Sequence, residues 1–256
     1  KEPEPLDSSL VGYWDMDDWV DGNTINDRTL NNNDGTIVGA NRSYGKLGWG
    51  MEFDGVDDII NLSAKPSSES SDYSITVWVK YNTLNDGAIY NDYFNTKDND
   101  VIYLGLDDKD GGSANTLKFK TFTNNLGTPH TVADSGITPT LEQWYHLVAT
   151  YTHATNSEDR VLKFYVDGAL KATQSPGAGS TSSQGGGNYF IIGLGSSTYF
   201  QGAIDEFQYW NKALTADEIA ESYSRGLGIG NITTQTALTV AANESSDADG
   251  DTLFTA

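Results

Sequence analysis

Apolar and polar residues alternate in short runs along most of this chain. The clearest run is Gly50-Met51-Glu52-Phe53-Asp54-Gly55-Val56-Asp57-Asp58-Ile59-Ile60-Asn61-Leu62. Met51 and Phe53 alternate with Glu52 and Asp54, and Ile60 and Leu62 flank Asn61. That period of two predicts two half-buried strands meeting at an Asp-Gly turn as a hairpin. The same pattern predicts strands at 10–16, 36–40, 74–81, 101–106, 117–122, 145–152, 163–166, 169–173, 189–194 and 204–210. Asp167-Gly168 between two of these runs is a second hairpin signal. Residues 20–34 carry Asp21, Asn23, Asn26, Asp27, Asn31, Asn32, Asn33 and Asp34, side chains that favour turns over regular structure. The Gly-, Ser- and Thr-rich run 175–187 predicts a mobile loop. Thr215-Ala216-Asp217-Glu218 has capping-box spacing, predicting one short helix through Tyr223 closed by Gly226.

Phe53-Asp54-Gly55-Val56-Asp57-Asp58 resembles the FDGxDD signature of laminin G-like jelly-roll domains in the concanavalin A-like lectin/glucanase superfamily. The flanks agree with it in order. Upstream stand Leu10-Val11-Gly12-Tyr13-Trp14 with Asp17, then Asn33-Asp34-Gly35-Thr36. Downstream come Tyr73-Ser74-Ile75-Thr76-Val77-Trp78-Val79, Gln143-Trp144-Tyr145-His146-Leu147-Val148, Phe164-Tyr165-Val166-Asp167-Gly168, and Gly202-Ala203-Ile204-Asp205-Glu206-Phe207. The resemblance covers residues 10–227 and implies an all-β fold: a two-sheet antiparallel jelly-roll β-sandwich with one short C-terminal helix. Residues 1–9, rich in Pro and Glu, read as a linker. Residues 228–256 read as a linker and the start of a following β module, because Asp247-Ala248-Asp249-Gly250-Asp251 resembles the opening of bacterial cadherin-like modules.

Composition narrows the partners. The formal charge is −21, with a pI near 4.2, so nucleic acid and anionic membrane surfaces are disfavoured partners. No apolar run is long enough to span a bilayer, so no direct membrane insertion is expected. Absence of cysteine excludes disulfides and thiolate chemistry. An acidic chain of this kind fits salty or calcium-rich surroundings and an extracellular or cell-surface location.

Calcium is the expected cofactor, since it takes six to eight hard oxygen ligands and this chain offers carboxylates in several places. The resemblance implies an ion clamping the first strand to the last, with Asp17 and Asp205 as ligands and Asp27, Asn33 and Asp54 contributing. The plainer reading has Asp205 capping a loop or pairing with Arg28 or Lys212. Carbohydrate contacts are expected from Tyr90, Asp92, Tyr93 and Tyr199, where aromatic rings and polar groups cluster, against the alternative that these rings pack under their own loops. Trp14, Trp78, Trp144 and Trp210 are expected in the core. Glu52-Phe53-Asp54-Gly55-Val56-Asp57 approaches the Glu-x-Asp-x-(x)-Glu strand of the superfamily's glycosidases, but Gly55 opens a turn and Asp57 replaces the second Glu. The expected role is therefore a non-catalytic binding or adhesion domain for glycan or a cell-surface protein, and not an enzyme. The alternatives are a structural spacer or filament subunit whose tail pairs with a neighbouring chain, and a glycoside hydrolase.

Overall fold

A computed structural model of the protein describes residues 7–17, 19–20, 22–63, 71–85, 87–93, 100–106, 113–121, 131–155, 159–175, 189–195 and 198–228. The expected loop at 175–187, nearly all of the tail from 228 onward and most of the lead-in lie outside the described residues. In chain order the strands are β1 (Leu10–Trp14), β2 (Trp19–Val20), β3 (Thr24–Ile25), β4 (Gly35–Val38), β5 (Asn41–Tyr44), β6 (Trp49–Asp54), β7 (Ile59–Leu62) and β8 (Tyr73–Tyr81). They continue with β9 (Ala88–Tyr93), β10 (Asp100–Leu106), β11 (Leu117–Thr121), β12 (Thr131–Asp134), β13 (Trp144–Thr152), β14 (Val161–Val166), β15 (Ala169–Gln174), β16 (Tyr189–Ile192) and β17 (Gln201–Trp210). Helix α1 (Ala216–Gly226) closes the domain.

The strands form two antiparallel sheets packed as a sandwich. One runs β15-β14-β13-β8-β17-β6-β5, with β1 pairing β17, and the other runs β12-β11-β10-β9-β16-β7-β4-β3-β2. Between them the inward positions of both sheets meet: Trp14, Phe53, Val77, Leu104, Phe119 and Phe207 are all fully buried. Trp14 leans on Phe207 with ring centroids 5.7 Å apart. Each such aromatic contributes roughly 1.5–3 kcal/mol on leaving water, which makes this seam the main stabilising term.

One expectation is corrected here. The Asp-Gly corner after β6 does not close a hairpin, because β6 pairs β17 and β5 while β7 pairs β4 and β16. Met51 and Phe53 of one sheet and Ile60 and Leu62 of the other all face a single interior. The chain therefore arches across the sandwich, with Gly55 at φ +81°. Asp167 and Gly168, by contrast, both have positive φ (52° and 75°) and do join the paired β14 and β15, as the primed turn requires.

The tryptophans divide. Trp14 is in the core, whereas Trp78 lies on the outer face of the eight-stranded sheet beneath α1. Tyr223 of α1 stacks on Trp78 at 5.7 Å and 19°, and a Cβ added to Gly226 would meet the Trp78 ring at 2.1 Å. Glycine at 226 is what lets the helix end press on that indole. Trp144 and Trp210 are only half-buried, which corrects the expectation of four core tryptophans.

Candidate functional site

Asp205 sits where β17 bulges. The pairing with β8 shifts register between Asp205 and Gln208, and Glu206 takes φ +54°, a conformation uncommon outside glycine. The bulge turns Asp205 and Glu206 out of the core seam and beneath the turn at residues 45–48. Asp205 is fully buried; its Oδ2 accepts from Leu47 N at 2.8 Å, and its Oδ1 has no hydrogen-bond partner among the described residues. Burial, with the Glu206 charge beside it, pushes the Asp205 carboxyl up to about 8. Glu206 Oε2 accepts from Tyr13 Oη at 2.7 Å, and burial lifts Glu206 to about 7.

The turn is held from two sides. Asp17 Oδ1 accepts from Trp49 N at 2.7 Å, just as Asp205 accepts from Leu47 N. Side chains at the two turn glycines would collide with these anchors: a Cβ at Gly45 would lie 2.5 Å from Asp205 Oδ2, and one at Gly48, where φ is +61°, would lie 2.4 Å from Asp17 Oδ1. Asp17 and Asp205 are thus brought to the same turn. Arg28 pairs with Asp15 at 2.6 Å, and Lys212 with Asp7 and Glu218 at 2.7 Å each.

The other three expected ligands are elsewhere. Asp27 is saturated by four donors: Oδ1 accepts from Tyr13 N and Thr29 N, and Oδ2 from Thr29 Oγ1 and Asn33 N, at 2.8–3.0 Å. Those four bonds organise the Asn-rich loop and place Asp27 apart from Asp17 and Asp205. Asn33 serves the same loop, donating from Nδ2 to Val11 O and accepting Trp14 Nε1–H at its own carbonyl.

Asp54 stands at the far end of β6, opposite Gln201 on β17, whereas Ile204, the residue before Asp205, pairs with Met51. There Asp54, Asp57 and Asp58 place one carboxylate oxygen each within 4.8 Å of one another, the one group of this kind among the described residues. Asp54 Oδ1 accepts from Val56 N at 2.7 Å and Asp58 Oδ2 from Asp54 N at 2.8 Å, so each retains a second oxygen. Burial, and then the two neighbouring carboxylates, raise Asp58 above the usual carboxylate range.

The expected carbohydrate residues do not form an exposed cluster. Tyr90 is fully buried, packing on Phe207 at 5.2 Å, and Asp92 is buried as well. The run Ala88–Tyr93 forms strand β9 in mid-sheet rather than a loop, so Tyr90 and Asp92 are withdrawn from solvent. The Tyr93 side chain lies outside the described residues. Tyr199 packs with Ile59, Ile191 and Leu194 on the outer face of the nine-stranded sheet. Glu52, the glycosidase-like position, accepts from Asn82 Nδ2 at 2.6 Å and from Ser43 Oγ at 3.4 Å.

An exposed aromatic surface occurs where the sequence pattern gave no sign of it. Tyr44 and Trp49 are cross-strand partners on the β5–β6 hairpin, stacked with centroids 5.1 Å apart and planes 12° from parallel. Tyr44 is 80% exposed and Trp49 38%. The Arg42 guanidinium lies 4.2 Å from the Trp49 centroid, and its Nη2 donates to Asp17 O at 3.0 Å. Tyr44, Trp49 and Arg42 therefore form a ladder fixed to the Asp17 side of the 45–48 turn. The polar β5 sequence Asn-Arg-Ser-Tyr carries no apolar alternation, and only its pairing with Trp49 exposes the platform.

Comparison with known proteins places these features. The chain is 30% identical over 95 residues to Adhesion G-protein coupled receptor D1 of Bos taurus, a match covering 37% of this chain and 10% of that receptor. The chain thus spans about a tenth of this curated relative. Domain 4 of AbnA, a GH43 extracellular arabinanase from Geobacillus stearothermophilus solved with arabinotriose, superposes at TM-score 0.61 and 19% identity, covering 83% of this chain and 97% of that one. The binding domain of Paraclostridial Mosquitocidal Protein 1 gives 0.62 at 16% identity, covering 85% and 52%. Trypanosoma rangeli sialidase gives 0.60 at 17% identity, covering 87% and 34%. These likenesses establish the shared fold. Residues 54–220 match the family Laminin_G_3, so the chain belongs to the concanavalin A-like lectin/glucanases superfamily.

Proposed function

We propose that this domain is a non-catalytic recognition module of an extracellular or cell-surface protein, binding glycan through the Arg42–Trp49–Tyr44 ladder and stabilised by calcium at the Asp54–Asp57–Asp58 corner. The observation that carries the reading is the stacked, largely exposed Tyr44 ring, locked against Trp49 on a hairpin held by Asp17. A rigid exposed ring offers a flat apolar face to the C–H side of a sugar without loss of side-chain freedom on binding. The arabinanase domain solved with arabinotriose and the toxin binding domain carry recognition on the same fold, and the adhesion receptor adds a cell-surface relative.

A hydrolase reading finds little support in the site. Retaining hydrolysis needs two carboxyl groups about 5 Å apart across a groove, whereas Glu52 is engaged by Asn82 and Ser43 and Asp57 lies beyond the Gly55 turn. For the ion, three carboxylates offering one oxygen each within 4.8 Å form a hard-ligand set of the kind calcium accepts, with waters completing the shell.

The test is a glycan array probed with the full chain in calcium and again in chelator. The reading predicts at least one glycan class bound, weakened at least tenfold by Tyr44→Ala. A blank array would sink the glycan assignment and move the ladder to a surface-protein partner, and turnover of any array glycan that is lost in Glu52→Gln would restore the hydrolase reading.

A further inference from the structure

Outside the hairpin platform, the outer face of the eight-stranded sheet and α1 enclose a cleft of about 420 Å³, within the size range of small-ligand sites. Its aromatic walls come from Trp78 on β8 and Trp210 on β17. Its polar groups converge from different elements. Gln208 Oε1 accepts from Thr76 Oγ1 at 3.2 Å, which leaves the Gln208 amide nitrogen as a donor. Glu206 Oε2 is taken by Tyr13 Oη, which leaves Oε1 as an acceptor. Arg225 uses Nη2 on Glu221 at 2.7 Å, is 63% exposed, and keeps its other N–H groups.

This chemistry selects a class of ligand. An anion would meet Glu206 and Asp7 in a chain of net charge −21. A cation would compete with Lys46, 4.7 Å from the Trp78 centroid, and Lys212, 5.3 Å from the Trp210 centroid. Donors and an acceptor set around two indoles suit a neutral group that both gives and accepts hydrogen bonds and has an apolar face. We propose that the cleft is a second recognition site, distinct from the hairpin platform, which takes a single neutral hydroxylated ring such as one sugar residue. This assignment does not depend on the hairpin platform binding anything.

The experiment is saturation-transfer NMR of the full chain with a panel of free pentoses and hexoses, repeated with Gln208→Ala, Arg225→Ala and Tyr44→Ala. At least one sugar is expected to bind at millimolar concentration, to lose at least tenfold in affinity in both Gln208→Ala and Arg225→Ala, and to be unchanged in Tyr44→Ala. Arg225 is exposed and, among the described residues, is paired along its own helix, so an unshifted melting temperature in that variant keeps the result readable even if Gln208→Ala unfolds. Absence of binding by every sugar in the panel overturns the proposal. So does binding that survives Arg225→Ala, or that falls only in Tyr44→Ala. That last outcome would place the sugar on the hairpin instead, and would leave the proposed function standing.

Discussion

Asp205 shows what one residue imposes on its surroundings. Its carboxyl is held near 8, above the unfolded value of 3.8, chiefly because burial disfavours the charged form. Between those values the folded state retains a proton that the unfolded state has released, so stability falls as pH rises through the window and levels off above about 8. Glu206, at about 7, adds to this slope. His146 acts with the opposite sign: burial lowers it to about 3, so its contribution falls away only as pH drops below the unfolded value of 6.5. From pH 6.5 to 8 the carboxyls act alone. In chelator, urea melts should lose roughly 2 kcal/mol across that interval, and Asp205→Asn should flatten most of the loss. A wild-type profile that is flat from 6.5 to 8 would contradict the buried, protonated carboxyl. The sequence did single out Asp205, on a predicted strand, as a candidate ligand or loop cap. The register shift against β8 that turns Asp205 and Glu206 outward, and the amide of Leu47 that answers one oxygen from 158 positions away, depend on residues distant in sequence, pairings that local alternation does not encode.

Among the elements, α1 illustrates a segment whose start was legible, while its end runs to Gly226, three residues past the expected Tyr223, with Leu227 as the cap. Thr215 and Glu218 form the capping box, with Glu218 N donating to Thr215 Oγ1 at 3.3 Å and Thr215 N to Glu218 Oε2 at 2.8 Å. Thr215→Ala should therefore cost about 1 kcal/mol in denaturant melts. Gly226→Ala should cost more, because the added methyl has no room against Trp78, and an unchanged midpoint would show that the helix end can move off the indole. The core strands were legible for the same reason as the helix, since period and boundary chemistry sit in contiguous residues. Five elements escaped. β2 and β3 are two-residue strands at or within the Asn- and Asp-rich stretch read as turns, β5 is polar and forms an edge, β12 is short, and β9 reads as an aromatic, polar cluster until its burial in mid-sheet is seen. The arch from β6 to β7 was misread because an Asp-Gly corner is equally able to close a hairpin or to carry the chain from one sheet to the other. Which it does is settled by the partners of each strand.

For the whole molecule, the excess of acid bears on both stability and recognition. Neutralising one carboxylate cluster should matter more in a chain of net charge −21 than in a balanced one, because the remaining field opposes compaction. Calcium at Asp54–Asp57–Asp58 is expected to raise the melting temperature, and Asp57→Asn, an exposed substitution, should remove most of that rise. A calcium response that survives Asp57→Asn but disappears in Asp205→Asn would move the ion to the 45–48 turn. The five expected ligands were read as one site because the fold brings the first and last strands together. The structure separates them into a turn anchor, a loop anchor and a corner.

The proposed recognition surface, a Tyr-Trp-Arg ladder, arises from three residues that share no motif, and the account depends on it most. The direct measurement is calorimetric titration of the leading array glycan into wild type, Tyr44→Phe and Tyr44→Ala. The account predicts wild-type affinity in Tyr44→Phe, which keeps the ring face, and at least a tenfold loss in Tyr44→Ala, about 1.4 kcal/mol. Equal affinity in all three would contradict recognition through the stacked ring.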